Sequence, residues 1–502
     1  MSQSSNINEN LIREVIEDVL SRLGNGSSVA TPPAAPSLPA AAGAEAGSGA
    51  GKGAAARGRH HGVFEDAEEA CSAAHSAFLQ LREKGVAARA WIVEMIKRMA
   101  TDRAEEWGRL ELEETKIGRL DHKIEKLQII KLVPGVEWLR PDGMSGDHGI
   151  TLEEHTPFGV IGAVTPSTHS IPTLSGNVIN MVAAGNAVVF NAHPAATRCA
   201  ATAVRAYNEA IERELGIENL ICIIEQPTLE SFQAICASES VRLLCVTGGP
   251  GVVKAAMQTE KRAICAGPGN PPVLVDETAD LARAAQLVVQ GAAYDNNLLC
   301  IGEKEVFVVE SVADTFMVEL QRHGGVRMDN GQLARLTKEA FGFPKGQGAG
   351  CPNPVLNKDL VGRDARDLAR IAGVSVAAET QVLFAEATAD HLFVEEEQMM
   401  PVLPIVRVKD VPAGIAACKK AEKDFRHTSI IHSHNVNHMT AMARALDTTL
   451  FIKNGPCMSG LGLGGEGYLS YSIATPTGEG VTNPKTFTRV RRCVMVDNLR
   501  IY

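Results

Sequence analysis

Several features are scarce or missing in this chain, and each absence closes a route. There is no basic excess: 59 Asp and Glu stand against 49 Lys and Arg, a formal net charge of −10. A nucleic-acid binder presents a basic face to phosphates, so the balance argues against that class. No apolar run is long enough to span a bilayer. The first twenty residues, MSQSSNINENLIREVIEDVL, lack the basic start and continuous apolar stretch of a secretory signal. The eleven cysteines contain no CxxC pair and no regular spacing. That pattern fits free thiols in a reducing compartment, not a disulfide framework or a zinc site. The expectation is a cytoplasmic protein with neither nucleic acid nor membrane among its partners.

What is present is a large soluble chain. Its 502 residues are 45% hydrophobic and 22% charged, enough for an extensive core and for two or three domains. Residues 9–23, ENLIREVIEDVLSRL, read as an amphipathic helix. Leu11, Ile12, Val15, Ile16, Val19, Leu20 and Leu23 fall on one face, with Arg13, Glu14, Glu17 and Asp18 on the other. Residues 24–62 are almost pure Gly, Ala, Pro and Ser and read as a disordered linker. An apolar helical face on a long tether wants a partner protein; folding back onto its own domain or a sister subunit is the alternative. The acidic polar face argues against a membrane surface.

The ordered body is expected from Val63. Residues 65–133 carry helical periodicity. From Pro157 short apolar runs (GVIGAVTP, NVINMVAAG, NAVVFNAHP, LICIIEQP, VRLLCVTGG) alternate with turns and helices. This is the texture of a doubly wound parallel sheet, so the fold class is α/β. A second α/β segment follows from about Pro272. The stretch VTGGPGVVKAA (246–256) reads as strand, glycine turn and helix start, where amides meet a phosphate; alone, such glycines often serve the turn only. The histidine-rich HTSIIHSHNVNH (427–438) reads as a strand with no metal role for His432, His434 or His438.

The series VTPST (164–168), VVFNAHP (188–194), VTGG (246–249), CAGPGNPPVLVDETAD (265–280), NNLLCIGEKEV (296–306), EEEQMMPVLPIVRV (395–408) and ATPTGEGVTNPKTFTRVRRCVMVD (474–497) is more specific. In order and spacing it resembles the aldehyde dehydrogenase superfamily over roughly residues 63–502. It is most similar to the CoA-acylating propionaldehyde and acetaldehyde dehydrogenases of propanediol and ethanolamine utilisation. The resemblance implies a Rossmann-type cofactor domain (63–135 and 157–271), a catalytic domain (272–470) and a small β oligomerisation element (136–156 and 481–502). It also implies dimers or tetramers, and makes residues 9–23 an encapsulation peptide that binds the shell of a bacterial microcompartment.

On the same resemblance Cys300 is the nucleophile. A thiolate adds to an aldehyde carbonyl, gives up hydride and leaves a thioester that a second thiol can resolve. Hydrolytic relatives activate water with a glutamate in a Glu-Leu-Gly-Gly segment; here that stretch is Ala266-Gly267-Pro268-Gly269-Asn270, with no general base. The implied product is acyl-CoA, formed with NAD and CoA in ping-pong order through one cleft. The alternatives are a hydrolytic enzyme giving free acid and an inactive shell-associated scaffold. Glu397 matches the family position that accepts hydrogen bonds from the nicotinamide ribose. Thr165, Pro166, Ser167, Asn191, Thr247, Gly248, Gly249, Ala266 and Gly267 are the other implied cofactor contacts. Asn191-Ala192-His193 replaces a lysine-bearing segment and leaves NAD against NADP open. Relatives carry an asparagine after Thr-Pro-x-Thr to hold the oxyanion; His169 stands there here, as an alternative donor or as a wall residue.

Overall fold

Residues 60–342 and 354–498 are described by a computed structural model of the chain. The helix expected at 9–23 and nearly all of the linker 24–62 lie outside them. Apolar runs become strands that are buried over most of their length. β1 (Val63–Phe64), β4 (Val160–Thr165), β5 (Ala187–Ala192), β6 (Ile221–Ile224), β7 (Val241–Thr247) and β8 (Arg262–Ala266) form one sheet in the order β1-β6-β5-β4-β7-β8. Every pairing in it is parallel. Between β1 and β4, β2 (Asp142–Gly146) and β3 (Gly149–Pro157) form a separate hairpin.

Helices cover both faces of the first sheet. The span Ala67–Asp102 starts on an Asp66 N-cap and breaks at Gly85, whose φ of 73° ends one helix and starts the next. Helix Ser170–Ala183 is buried along its whole length. Helix Leu229–Ala237 lies so close to β4 that a Cβ on Gly162 would sit 2.6 Å from Ile235 Cγ2. Glycine is needed at that crossing.

The second sheet collects β9 (Pro272–Val275), β10 (Glu305–Val309), β11 (Gly325–Arg327), β14 (Val382–Glu386), β15 (Val402–Val408), β16 (Thr428–His432) and β17 (Leu450–Lys453). Its order is β11-β14-β15-β10-β9-β16-β17, again all parallel. The two-residue strands β12 (Phe341–Gly342) and β13 (Val355–Leu356) pair beside it, as do β18 (Ile473–Ala474) and β19 (Gly480–Val481) near the end of the chain. The last strand, β20 (Thr488–Val496), crosses back to β3 and completes a three-stranded antiparallel sheet with β2.

The chain steps from the first sheet to the second through residues 267–271. Asn270 fastens this crossing: its buried Nδ2 donates to Val394 O (2.9 Å) and Ala421 O (3.0 Å). A Cβ on Gly269 would stand 2.5 Å from Cys300 O and 2.9 Å from the His427 ring. The crossing therefore runs directly against the Cys300 loop.

Candidate active site

In the first sheet the chain builds β4, β5 and β6 outward on one side, then returns to lay β7 and β8 on the other. The order reverses between β4 and β7. Crevices outside the carboxyl ends of parallel strands at such a reversal are where ligands bind. A cleft of about 450 Å³ opens there. Residues 164–169 after β4, 191–194 after β5, 247–250 after β7 and 266–268 after β8 line one wall; Leu298, Cys300, Glu397, Met399, Tyr471 and Ile473 line the other. All twelve residues singled out from the sequence lie on this cleft. The sequence series did not single out Met399, Tyr471, Leu229 or Phe232, which owe their place to tertiary packing.

Cys300 is half-buried on the loop between helix Leu281–Ala293 and β10. Burial, and then the Glu397 carboxylate, push its thiol up to about 12; Lys304 pulls the other way. In the open cleft Cys300 is a thiol at neutral pH, not the ready thiolate expected of a reactive cysteine. Glu397 is itself pushed up to about 7 by burial, against Lys304 and a hydrogen bond from the Gly269 backbone. Its neighbours in the acidic run turn elsewhere: Glu395 faces Lys420 (3.7 Å) and Glu396 pairs with Lys423 (2.9 Å).

His169 is 5% exposed and sits where β4 turns into helix Ser170–Ala183. Its Nδ1 lies 2.8 Å from Thr168 Oγ1, and its ring leans on Tyr471 at 5.7 Å. Burial, and then the Lys126 ammonium, hold its pKa well below the usual histidine value, so the ring is neutral. Where Nδ1 accepts from Thr168, the proton sits on Nε2 and that edge is a donor. The helix start beneath it is satisfied by Glu111, which accepts from Ile171 N (2.8 Å) and from Lys123 Nζ (2.9 Å).

At the nucleotide end, Gly249 caps helix Pro250–Met257 with proline at its first turn. Leu229, Phe232, Pro227 and Val252 give an apolar surface for a flat ring. The Asn191 amide is already committed, donating to Thr228 O (3.2 Å) and accepting from Ser231 Oγ (2.7 Å). Thr247 Oγ1 is held by Ser472 Oγ (2.7 Å). Thr165 Oγ1 is buried without a partner. A helix N-terminus, an apolar slot and a half-buried carboxylate beside Cys300 fit a dinucleotide. Ala266 and Gly267 bring no carboxylate to the cleft.

Below the cleft stands a residue the histidine-rich stretch did not flag. His427 is fully buried, with Nδ1 2.9 Å from Thr428 Oγ1 and Nε2 unpartnered. Burial, and then Lys304, push its pKa down to about 4. Elsewhere, Asp276, Glu277 and His438 converge closely enough to suggest a cation. Asp276, however, is saturated by Ser433 Oγ, Thr278 N and Oγ1, and His438 Nδ1 (2.7 Å). It ties the end of β9 to the loop after β16.

Comparison with known proteins agrees with this geometry. The aldehyde dehydrogenase family matches residues 57–331. The chain is 45% identical over 442 residues to an acetaldehyde dehydrogenase (acetylating) of Escherichia coli K12, covering 88% of this chain and 93% of that one. The solved Rhodopseudomonas palustris propionaldehyde dehydrogenase with bound propionyl-CoA superposes with a TM-score of 0.84 at 42% identity, covering 90% and 99% of the two chains. The same protein has been solved with bound CoA and an acylated cysteine. A propionaldehyde dehydrogenase from the Clostridium phytofermentans fucose utilisation bacterial microcompartment gives 0.84 at 41% identity, covering 88% and 100%.

Proposed function

The chain belongs to the aldehyde dehydrogenase family, and from that premise we propose that it oxidises a short-chain aldehyde, propionaldehyde or acetaldehyde, with NAD and CoA to acyl-CoA and NADH. The observation that carries the reading is one cleft in which Cys300 faces the nucleotide end while the 266–270 stretch offers no carboxylate to activate water. Cys300 Sγ adds to the carbonyl carbon. The Cys300 amide and His169 Nε2–H face the oxygen that gains charge. NAD accepts the hydride and CoA supplies the thiol that takes the acyl group, returning Cys300 as thiolate. Glu397 stands beside Cys300, where a carboxylate accepts from ribose hydroxyls. A shared cleft means NADH departs before CoA enters, a ping-pong order.

The test is product analysis with and without CoA. Acyl-CoA and NADH should form together, and Cys300→Ala should abolish both while the fold survives. Free acid at full rate without CoA would instead reveal a hydrolytic enzyme; no NADH under any condition would leave an inactive scaffold.

Partners follow from two further features. The β2-β3-β20 sheet keeps Val490, Val494 and Val496 exposed on its edge strand, a surface suited to a second copy of this chain in a dimer or tetramer. The apolar stripe read at residues 9–23 in the sequence suits a groove on a microcompartment shell protein, and docking there would put the enzyme inside the enclosure. Among the described residues no helix is long and apolar enough to cross a membrane.

A further inference from the structure

The Cys300 loop is closed at its base by side chains. Asn297 Nδ2 donates to Glu303 O (2.8 Å), while Lys304 Nζ donates to Asn297 O (2.8 Å) and Oδ1 (2.7 Å). Asn297, Glu303 and Lys304 are all fully buried. Asn297 ends a run of three consecutive left-handed residues: Asp295 (φ 49°), Asn296 (55°) and Asn297 (62°). Only Asn, Asp and Gly adopt that region readily, and a run of three persists only where its surroundings over-determine it.

Each residue of the run is fastened to a different segment. Asp295 accepts from Arg119 N (2.7 Å) and pairs with Lys126. Asn296 donates to Gly362 O and Asp364 Oδ1, both 2.9 Å. These two contacts hold the turn to the body. The third joins the two ends of the nucleophile loop and does so with a charge. A buried ammonium is costly, and a methionine of similar length would fill the space without that cost. Both of the ammonium's hydrogen bonds go to neutral oxygens of Asn297, so its charge remains available to its surroundings.

We propose that Lys304 is the positioning residue of Cys300: gripped by Asn297, it fixes the base of the nucleophile loop and sets a buried ammonium in it, which favours the Sγ anion over what burial and Glu397 alone would allow. Ionisation moves one proton from Sγ to water in the cleft, and Lys304 gives up none. The opposition it meets is burial and the neighbouring Glu397, and Lys304 is the cation acting against both. The same charge favours the neutral form of His427. The proposal rests on Cys300 being the nucleophile.

The test is the pH dependence of Cys300 alkylation by iodoacetamide in the full-length protein, followed by peptide mapping. Lys304→Met should raise the pH midpoint by about one unit or more, which slows alkylation about tenfold near pH 7.5. Lys304→Gln keeps a donor for Asn297 without the charge; it should show the same shift with the loop in place. Asn297→Gly removes the grip at a backbone angle glycine tolerates; it should lower kcat while moving the midpoint less. NAD binding, followed by protein fluorescence, should be unchanged in Asn297→Gly. Should Lys304→Met fail to fold, Lys304→Gln carries the charge test. An unmoved midpoint in folded Lys304→Gln overturns the proposal and leaves the nucleophile assignment intact. The assignment itself falls only if Cys300→Ala keeps turnover.

Discussion

The family resemblance implies an amide at the position of His169, and the ring's environment suits it to the same task. The ring is neutral, its Nδ1 is engaged with Thr168, and the residue lines the cleft. A neutral N–H donor needs no proton exchange to serve an oxyanion. His169→Ala should lower kcat by about 10-fold to 1,000-fold, at its upper end the loss seen when one such donor is removed. His169→Asn should recover part of the loss, and steady-state NADH formation reads both. Full kcat in both variants would reduce His169 to a wall residue. The residues on the strand ends were legible in the sequence because turns after strands leave local marks: glycine, proline and short polar runs. Lys304, His427 and Tyr471 leave none. Their chemistry comes from being buried among partners distant in sequence, and a lone lysine four residues after a cysteine looks like any surface lysine.

At the scale of elements, the apolar runs GVIGAVTP, NAVVFNAHP and VRLLCVTGG map onto β4, β5 and β7. NVINMVAAG has the same texture but falls in helix Ser170–Ala183. A helix buried on every side has no polar stripe, so its periodicity is lost and a short apolar run reads the same in either state. Residues 65–133 kept their stripe and form helices, interrupted where Gly85 takes a positive φ. The β20 strand shows the opposite deviation. Val490 (61% exposed) stands between two arginines, and Val494 (56%) and Val496 (72%) flank Met495, yet all three valines face solvent. If they meet a second copy, Val494→Asp with Val496→Asp should lower the molar mass found by light scattering, with the isolated protomer still binding NAD. Unchanged mass would remove this sheet from the interface. For the tethered segment, Ile16→Glu with Leu20→Glu should prevent co-sedimentation with purified shells and leave soluble activity untouched. Lost activity would mean that the segment packs on the enzyme.

For the whole molecule, the two parallel sheets carry unequal electrostatics. The second holds the buried carboxyls Glu303, Glu305 and Glu422, with Glu397 on the cleft, all with raised pKa through burial. Glu303 is the most informative: pushed up to about 7, it accepts from Cys457 N (3.0 Å) through one oxygen and has no partner for the other. A carboxyl with a higher pKa folded than unfolded makes folding take up a proton. Its contribution is complete below the unfolded value of about 4.5 and is lost as pH rises through about 7. Glu303→Gln keeps the acceptor for Cys457 without the charge. It should melt about 2 °C or more above the parent at pH 8 and alongside it at pH 5, by scanning calorimetry at both values. Equal melting points at both pH values would mean that Glu303 never ionises in the fold.

If CoA enters by the same cleft as the nucleotide, as the proposed ping-pong order requires, the sharing has a consequence for traffic. A catalyst with one berth cannot load its second passenger until the first has left. The acyl group therefore waits on the enzyme for as long as the reduced nucleotide lingers. In a small enclosed volume the throughput of this protein then becomes a gauge of how quickly its surroundings reoxidise that nucleotide: where reoxidation lags, aldehyde consumption stalls with it, however much CoA is at hand.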